Sequence, residues 1–169
     1  MSVLTIEGRA RLLGDDINTD YIISSRRKRD TLDGDVLKNY LLEDLDPGFA
    51  ATVKPGDLIV AGENFGCGSA MEVAVTVVLA AGIRAVCARS FSRTYYRNAI
   101  NNGLLPVECD TSSIAEGDRL QISVEEAINV NNVTTGRTIA GQRIPGIMVG
   151  IFEAGGLVPY FARHGGFRS

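Results

Sequence analysis

The feature that most limits the fold is the stretch from Leu58 to Glu108. It opens with the apolar run Leu58–Ala61, preceded by the turn Val53–Asp57, and passes through a glycine-rich loop, Gly62–Gly68. The following SAMEVAVTVVLAAG predicts a helix from Ser69 to about Ala81, stopped by Gly82. Apolar residues cover nearly every face of that helix, so it must be buried rather than laid on a surface. Apolar strands follow at Ile83–Ala88 and Leu104–Glu108, and the helix between them, Ser92–Asn102, ends at Gly103. Strand, loop, helix, strand, helix, strand is the order of parallel β units with crossover helices.

The flanks differ in character. Val3–Leu13 reads as a strand, and GDDINTD at Gly14–Asp20 as a turn-rich loop whose Asp and Asn side chains favour local backbone bonds. Leu37, Leu41 and Leu42 fall on one side of a helix predicted over Asp35–Leu45, ended by DPG at Asp46–Gly48. Beyond Asp110, short strands at Arg119–Val124, Asn129–Val133 and Gly136–Ala140 suggest a β meander, and Ile147–Arg163 a helical segment. No repeat or linker divides the chain, so residues 1–169 are expected to form a single α/β domain.

Several function classes are disfavoured. A net charge of −3 offers no basic footprint for nucleic acid. No run approaches the ~18 apolar residues of a membrane span, and the N-terminal MSVLTIEGRARLL lacks the pattern of a secretory signal, so the cytoplasm is expected. Three cysteines (Cys67, Cys87, Cys109) without a CxxC pair, and one histidine (His164), are too few for an own metal cluster. No metal or cofactor is therefore expected within this chain.

Three segments are candidates for chemistry. In Gly62–Gly68 three glycines would let a ligand approach the main chain, which makes Gly66, Cys67 and Gly68 candidate binding residues. The loop runs into Ser69 at a predicted helix N-terminus, where unpaired amides favour an anion. Equally, Ser69 and Glu72 have the spacing of a capping box, which would account for both. Next, Ser24–Arg29 holds four adjacent cations, Arg26, Arg27, Lys28 and Arg29. They could form a solvated loop or a clamp for carboxylates. Last, Arg93 and Arg97 share a helix face, with Phe91, Tyr95, Tyr96 and Ile100 expected to pack and the arginines to be solvated.

Together, DINTDYII at Asp16–Ile23, GENFGCGS at Gly62–Ser69, ARSFSRTYYRNAINNGLLPV at Ala88–Val107 and AGGLVPYF at Ala154–Phe161 resemble the small subunits of 3-isopropylmalate dehydratase. The resemblance spans nearly the whole chain in order. It implies the swivelling β/β/α domain of the aconitase superfamily. It also implies a separate large subunit as partner, carrying a 4Fe–4S cluster whose open iron binds the substrate. By the same resemblance Ser69 matches the catalytic serine, which removes a proton next to a carboxylate while the metal draws off the hydroxyl. The helix N-terminus and loop amides would stabilise its anion. The loop after Ile23 matches the specificity loop, with Arg26 and Arg29 as the expected substrate-binding cations. The implied reaction interconverts 2- and 3-isopropylmalate in leucine biosynthesis.

The chain departs from the family at this very point. Where the family reads GSSREHA, this sequence reads GSAMEVA, with Met71 in place of an arginine that grips a substrate carboxylate and Val73 in place of a histidine. Met71 cannot form a charge-assisted bond. The alternatives are a paralogue acting on homoaconitate, citraconate or 2,3-dimethylmalate, and a non-catalytic binding subunit in which Ser69→Ala would change nothing. The Ser24–Arg29 loop, with nothing evident to pin it, is expected to be disordered in the lone chain.

Overall fold

A computed structural model describes residues 4–165. Strand β1 (Leu4–Leu12) lies at the centre of a seven-stranded mixed sheet with β2 (Leu58–Val60), β3 (Ala85–Ala88), β4 (Leu105–Glu108), β5 (Arg119–Val124), β6 (Ala127–Asn132) and β7 (Arg137–Arg143), in the order β4-β3-β2-β1-β5-β6-β7. The two ends of β1 serve different halves. Ala10–Leu12 pair with Leu58–Val60 in parallel, and Leu4–Arg9 pair with Arg119–Val124 antiparallel. The parallel half is the expected crossover unit, and the antiparallel half is the expected meander.

The strands of the parallel half are buried on both faces, as their continuous apolar runs require. Alternation then assigns each side chain to one of two cores. Leu58, Val60, Ala85, Cys87, Leu105 and Val107 face one, together with Ile6, Ala10, Leu120, Ile122, Ile128 and Val130. Ile59, Val86 and Ala88 face the other, under helix α5 (Val73–Ala80) and helix α6 (Arg93–Asn102). Ala74, Val75, Val77 and Val78 of α5 are fully buried there. The first core is enclosed because the sheet curls on itself. Cys109 bridges Gly141, the Glu108 amide donates to Gln142 Oε1 at 2.8 Å, and Gln142 Nε2 donates to Pro106 O at 2.7 Å and Tyr96 Oη at 3.0 Å.

Four expectations change. Asp35–Leu45 is not one helix: Gly34–Leu37 makes a helical turn, Lys38–Tyr40 a tighter one, and Leu42 sits at φ 58°. Its amide leaves the helical ladder to donate to Ile22 O at 2.9 Å, and Leu37, Leu41 and Leu42 all reach the second core. Burial of three leucines outweighs the modest helix propensity of the segment. The C-terminal helix is two, Gly146–Ala154 and Leu157–His164, broken where Gly155 and Gly156 disfavour helix. Strands β6 and β7 are displaced by two or three residues at some ends, around an irregularity between Ala127 and Asn129. Finally, α5 begins at Val73 rather than Ser69, and its first residue is preceded by Glu72 with no side-chain cap bond. The capping box is absent.

Candidate active site

Ser69 sits at the end of a loop that the N-terminal motif holds from below. Asn18 precedes a single helical turn, α1 (Thr19–Ile22), and its side chain accepts from the Asp20 amide at 2.9 Å. Thr19, 1% exposed, then grips the loop twice: its amide donates to Cys67 O at 2.8 Å and its hydroxyl to Ser69 O at 2.9 Å. The glycines around Cys67 are required by this contact. Gly66 has φ 82°, and a Cβ there would overlap the Tyr95 ring; Gly68 has φ 92°, and a Cβ there would overlap the Asn18 amide. Neither conformation nor space suits another residue.

The rest of the loop is also tied down. The amides of Glu63, Asn64, Phe65 and Gly66 donate respectively to Asp15 Oδ1, Ser90 Oγ, Ser90 O and Ile17 O, at 2.7–3.0 Å. The Glu63 amide and the Arg89 guanidinium hold the Asp15 carboxyl below its usual range. These amides are therefore not available to a ligand. Among the described residues, the amides of residues 68–71 make no hydrogen bond, and Gly68, Ser69 and Ala70 are exposed. Whatever anion-stabilising main chain the site offers comes from this stretch and not from the start of α5.

The cation run forms a helical turn, α2 (Ser25–Lys28), capped by Ser24 Oγ accepting from the Arg26 amide at 3.3 Å. It is held on both sides. Arg26 contacts Glu43 Oε1 at 3.0 Å and Asp44 Oδ1 at 3.1 Å. Arg27 bonds Glu43 at 2.9 Å, lies 3.8 Å from the centre of the Tyr40 ring, and by its hydrogen bond lowers the pKa of Glu43. Lys28 turns the other way. Its Nζ is 3.1 Å from Asp20 Oδ1 and 2.9 Å from Met71 Sδ, with the side chain 11% exposed.

Lys28 and Arg29, with Asp20 and Ser25, form one wall of an open cleft of about 560 Å³, and Ser69, Met71, Glu72 and Val73 form the other. The structure thus brings Arg29 to the cleft of Ser69. Arg26 does not line it, nor do Gly66, Cys67 and Gly68, which shape the loop that presents the serine. Within the cation run the sequence favoured Arg26 and Arg29 over Lys28, and it gave Asp20 and Thr19 no role of their own. The i, i+1 neighbours of a helical turn point in different directions, and only Glu43 and Asp44 decide which cations are drawn away. Arg93 and Arg97 are exposed on α6 and border a separate groove of about 290 Å³ with Phe91 and Tyr96, while Tyr95 and Ile100 are buried as expected.

Cys87 and Cys109 are hydrogen-bonded neighbours buried in the first core, and Cys67 is half-buried in the loop. Among the described residues no group of three or more His, Cys, Asp or Glu side chains is placed to hold a metal. The donor set of the described residues does not fit a cluster. Nor is any helix long and apolar enough to cross a membrane.

Comparison with known proteins gives consistent matches. Residues 27–112 match the aconitase C-terminal domain family. The 3-isopropylmalate dehydratase small subunit 2 of Archaeoglobus fulgidus is 44% identical over 158 residues, 94% of this chain and 95% of that protein. The isopropylmalate/citramalate isomerase small subunit of Methanocaldococcus jannaschii is 42% identical, covering 94% of each chain, and the methanogen homoaconitase small subunit of that organism is 44% identical, covering 95% and 93%. The crystal structure of the M. jannaschii 3-isopropylmalate dehydratase superposes with a TM-score of 0.90 at 42% identity, over 96% of both chains.

Proposed function

We infer the activity from the chain's family: it belongs to the 3-isopropylmalate dehydratase small subunits, of the aconitase superfamily. It is a hydro-lyase subunit. Its proposed reaction is the dehydration and rehydration of a malate-like acid, with 2- and 3-isopropylmalate as the pair interconverted, in leucine biosynthesis and in the cytoplasm. Its proposed partner is a large subunit, and the proposed site of the 4Fe–4S cluster is that subunit, which accords with the donor set described above. When bound, the cluster would supply a Lewis acid for the departing hydroxyl.

This chain's own contribution is a base and positive charge. The observation that carries the reading is Ser69, exposed on a loop fastened by Thr19 and lining one cleft with Lys28 and Arg29. Ser69 Oγ as alkoxide takes the proton from the carbon next to a substrate carboxylate, an alkene forms as the hydroxyl leaves, and the proton returns on rehydration. A serine is a weak base until its anion is stabilised. The unbonded amides of residues 68–71 and the two cations are the groups available to do so. The start of α5 is not, because Glu72 stands there and its carboxylate opposes a second anion.

The test is reconstitution of the chain with its large subunit and cluster under anaerobic conditions, following alkene absorbance with 3-isopropylmalate. Ser69→Ala is expected to lower kcat by about 10³-fold with KM little changed, in the range of a lost general base. Turnover unaffected by that change defeats the assignment. A second reading, a shifted substrate, is favoured by Met71 and Val73 in the cleft wall. The same assay with homoaconitate, citraconate and 2,3-dimethylmalate decides between them.

A further inference from the structure

We propose that Lys28 is a substrate-binding residue that receives a carboxylate of the acid in the Ser69 cleft, a role the geometry gives to neither Arg26 nor Arg27. This rests on the reading of the cleft as the active site. Three observations support it. First, the four cations of the run are divided in space: Arg26 and Arg27 are bound to Glu43, Asp44 and Tyr40 on one side, leaving Lys28 and Arg29 to line the cleft.

Second, Lys28 is held where a ligand would meet it. Its chain is only 11% exposed, and its Nζ lies 2.9 Å from the sulfur of Met71, which belongs to the opposite wall. The ammonium therefore reaches across the cleft to the residue two positions after Ser69. Third, it is under-satisfied. An ammonium has three donors. Among the described residues Lys28 uses one on Asp20, whose carboxylate is 54% exposed and is shared with Ser25 Oγ at 3.2 Å, and one on a thioether, a weak acceptor. A charge so far withdrawn from water gains most from an added anionic acceptor. A carboxylate supplies it, and Met71 offers that same ligand an apolar surface rather than a competing charge.

Two measurements test this. In the reconstituted complex, Lys28→Met is expected to raise KM at least about tenfold, as for a lost charge-assisted bond, with a smaller effect on kcat. Lys28→Met combined with Met71→Arg, which restores one cation from the opposite wall, is expected to return KM to within a few-fold of the unaltered protein. In the full chain alone, with methyl-13C methionine, 3-isopropylmalate should shift the Met71 methyl resonance, its dimethyl ester should not, and the shift should vanish in Lys28→Met. If Lys28→Met leaves both KM and the methyl shift unchanged, the proposal is overturned. If the complex turns over none of the four acids while the Lys28-dependent shift persists, the proposed reaction falls and the carboxylate site stands. If neither turnover nor shift is seen, both fall.

Discussion

A buried carboxylate, Asp57, ties the turn before β2 to β1. Asp57 receives Arg9 Nη2 at 2.8 Å and the Lys54 amide at 2.9 Å, and lies 3.7 Å from Arg11 Nη1. Burial by itself would raise the Asp57 carboxyl, but the Arg9 and Lys54 bonds and the two guanidinium charges hold it below its usual range. Arg11 is buried too, bonded to Glu116 at 3.0 Å and Thr52 Oγ1 at 2.9 Å, with its guanidinium 4.5 Å from the centre of Phe49. Asp57→Asn removes the one carboxylate close to Arg11 Nη1, an atom that makes no hydrogen bond. It is expected to cost about 3 kcal/mol, read from urea unfolding. Because Asp57 and Glu43 both have depressed folded values, the unfolded chain binds more protons as pH falls through the carboxylate range. Their stabilisation is complete above their unfolded values near 4 and is lost as pH drops through the lower folded ones. Melting temperature should therefore fall on acidification below pH ~4, and less so in Asp57→Asn.

Among the elements, the site depends on two one-turn helices that would be unstable alone. They persist because each is pinned: α1 by Asn18 and the Ser69 loop, α2 by Glu43 and Asp20. Thr19→Val keeps the volume of the side chain and removes its hydroxyl, so Ser69 O loses its partner while the Thr19 amide bond to Cys67 remains. The expected result is a fall in kcat of about tenfold or more, from a misplaced base, with melting temperature within a few degrees of the unaltered protein. An unchanged kcat would mean that the loop holds its shape without this bond. Neither turn has an apolar period long enough to read in sequence, which is why Ser24–Asp30 passed for a loose loop.

For the molecule as a whole, the parallel half was legible because doubly buried strands and an all-apolar helix leave few alternatives. Ile59 and Leu58, one residue apart, feed opposite cores, and the uninterrupted apolar run says so. What stayed hidden depended on partners far along the chain. Leu42 leaves its helix for Ile22, Lys28 faces Met71 because Glu43 claims its neighbours, and Ser69 is freed from capping because α5 starts four residues later. The curling of the sheet was equally invisible, since it rests on two contacts distant in sequence, the Cys109–Gly141 bridge and the Gln142 side chain spanning β4 and Tyr96. Gln142→Leu leaves the Glu108 amide and Pro106 carbonyl without that partner. It is expected to cost about 1–3 kcal/mol and to speed amide exchange at Glu108 ahead of the rest of β4.

Thr19 and Lys28 lie nine positions apart on consecutive turns, one fastening the serine loop and the other reaching the far wall. The ancestral problem of acquiring a new acid is thereby simplified. Codons 26–29 can drift, or be transplanted from a relative as a cassette, without touching the clasp at positions 18–19, so diversification need not begin by dismantling the chemistry.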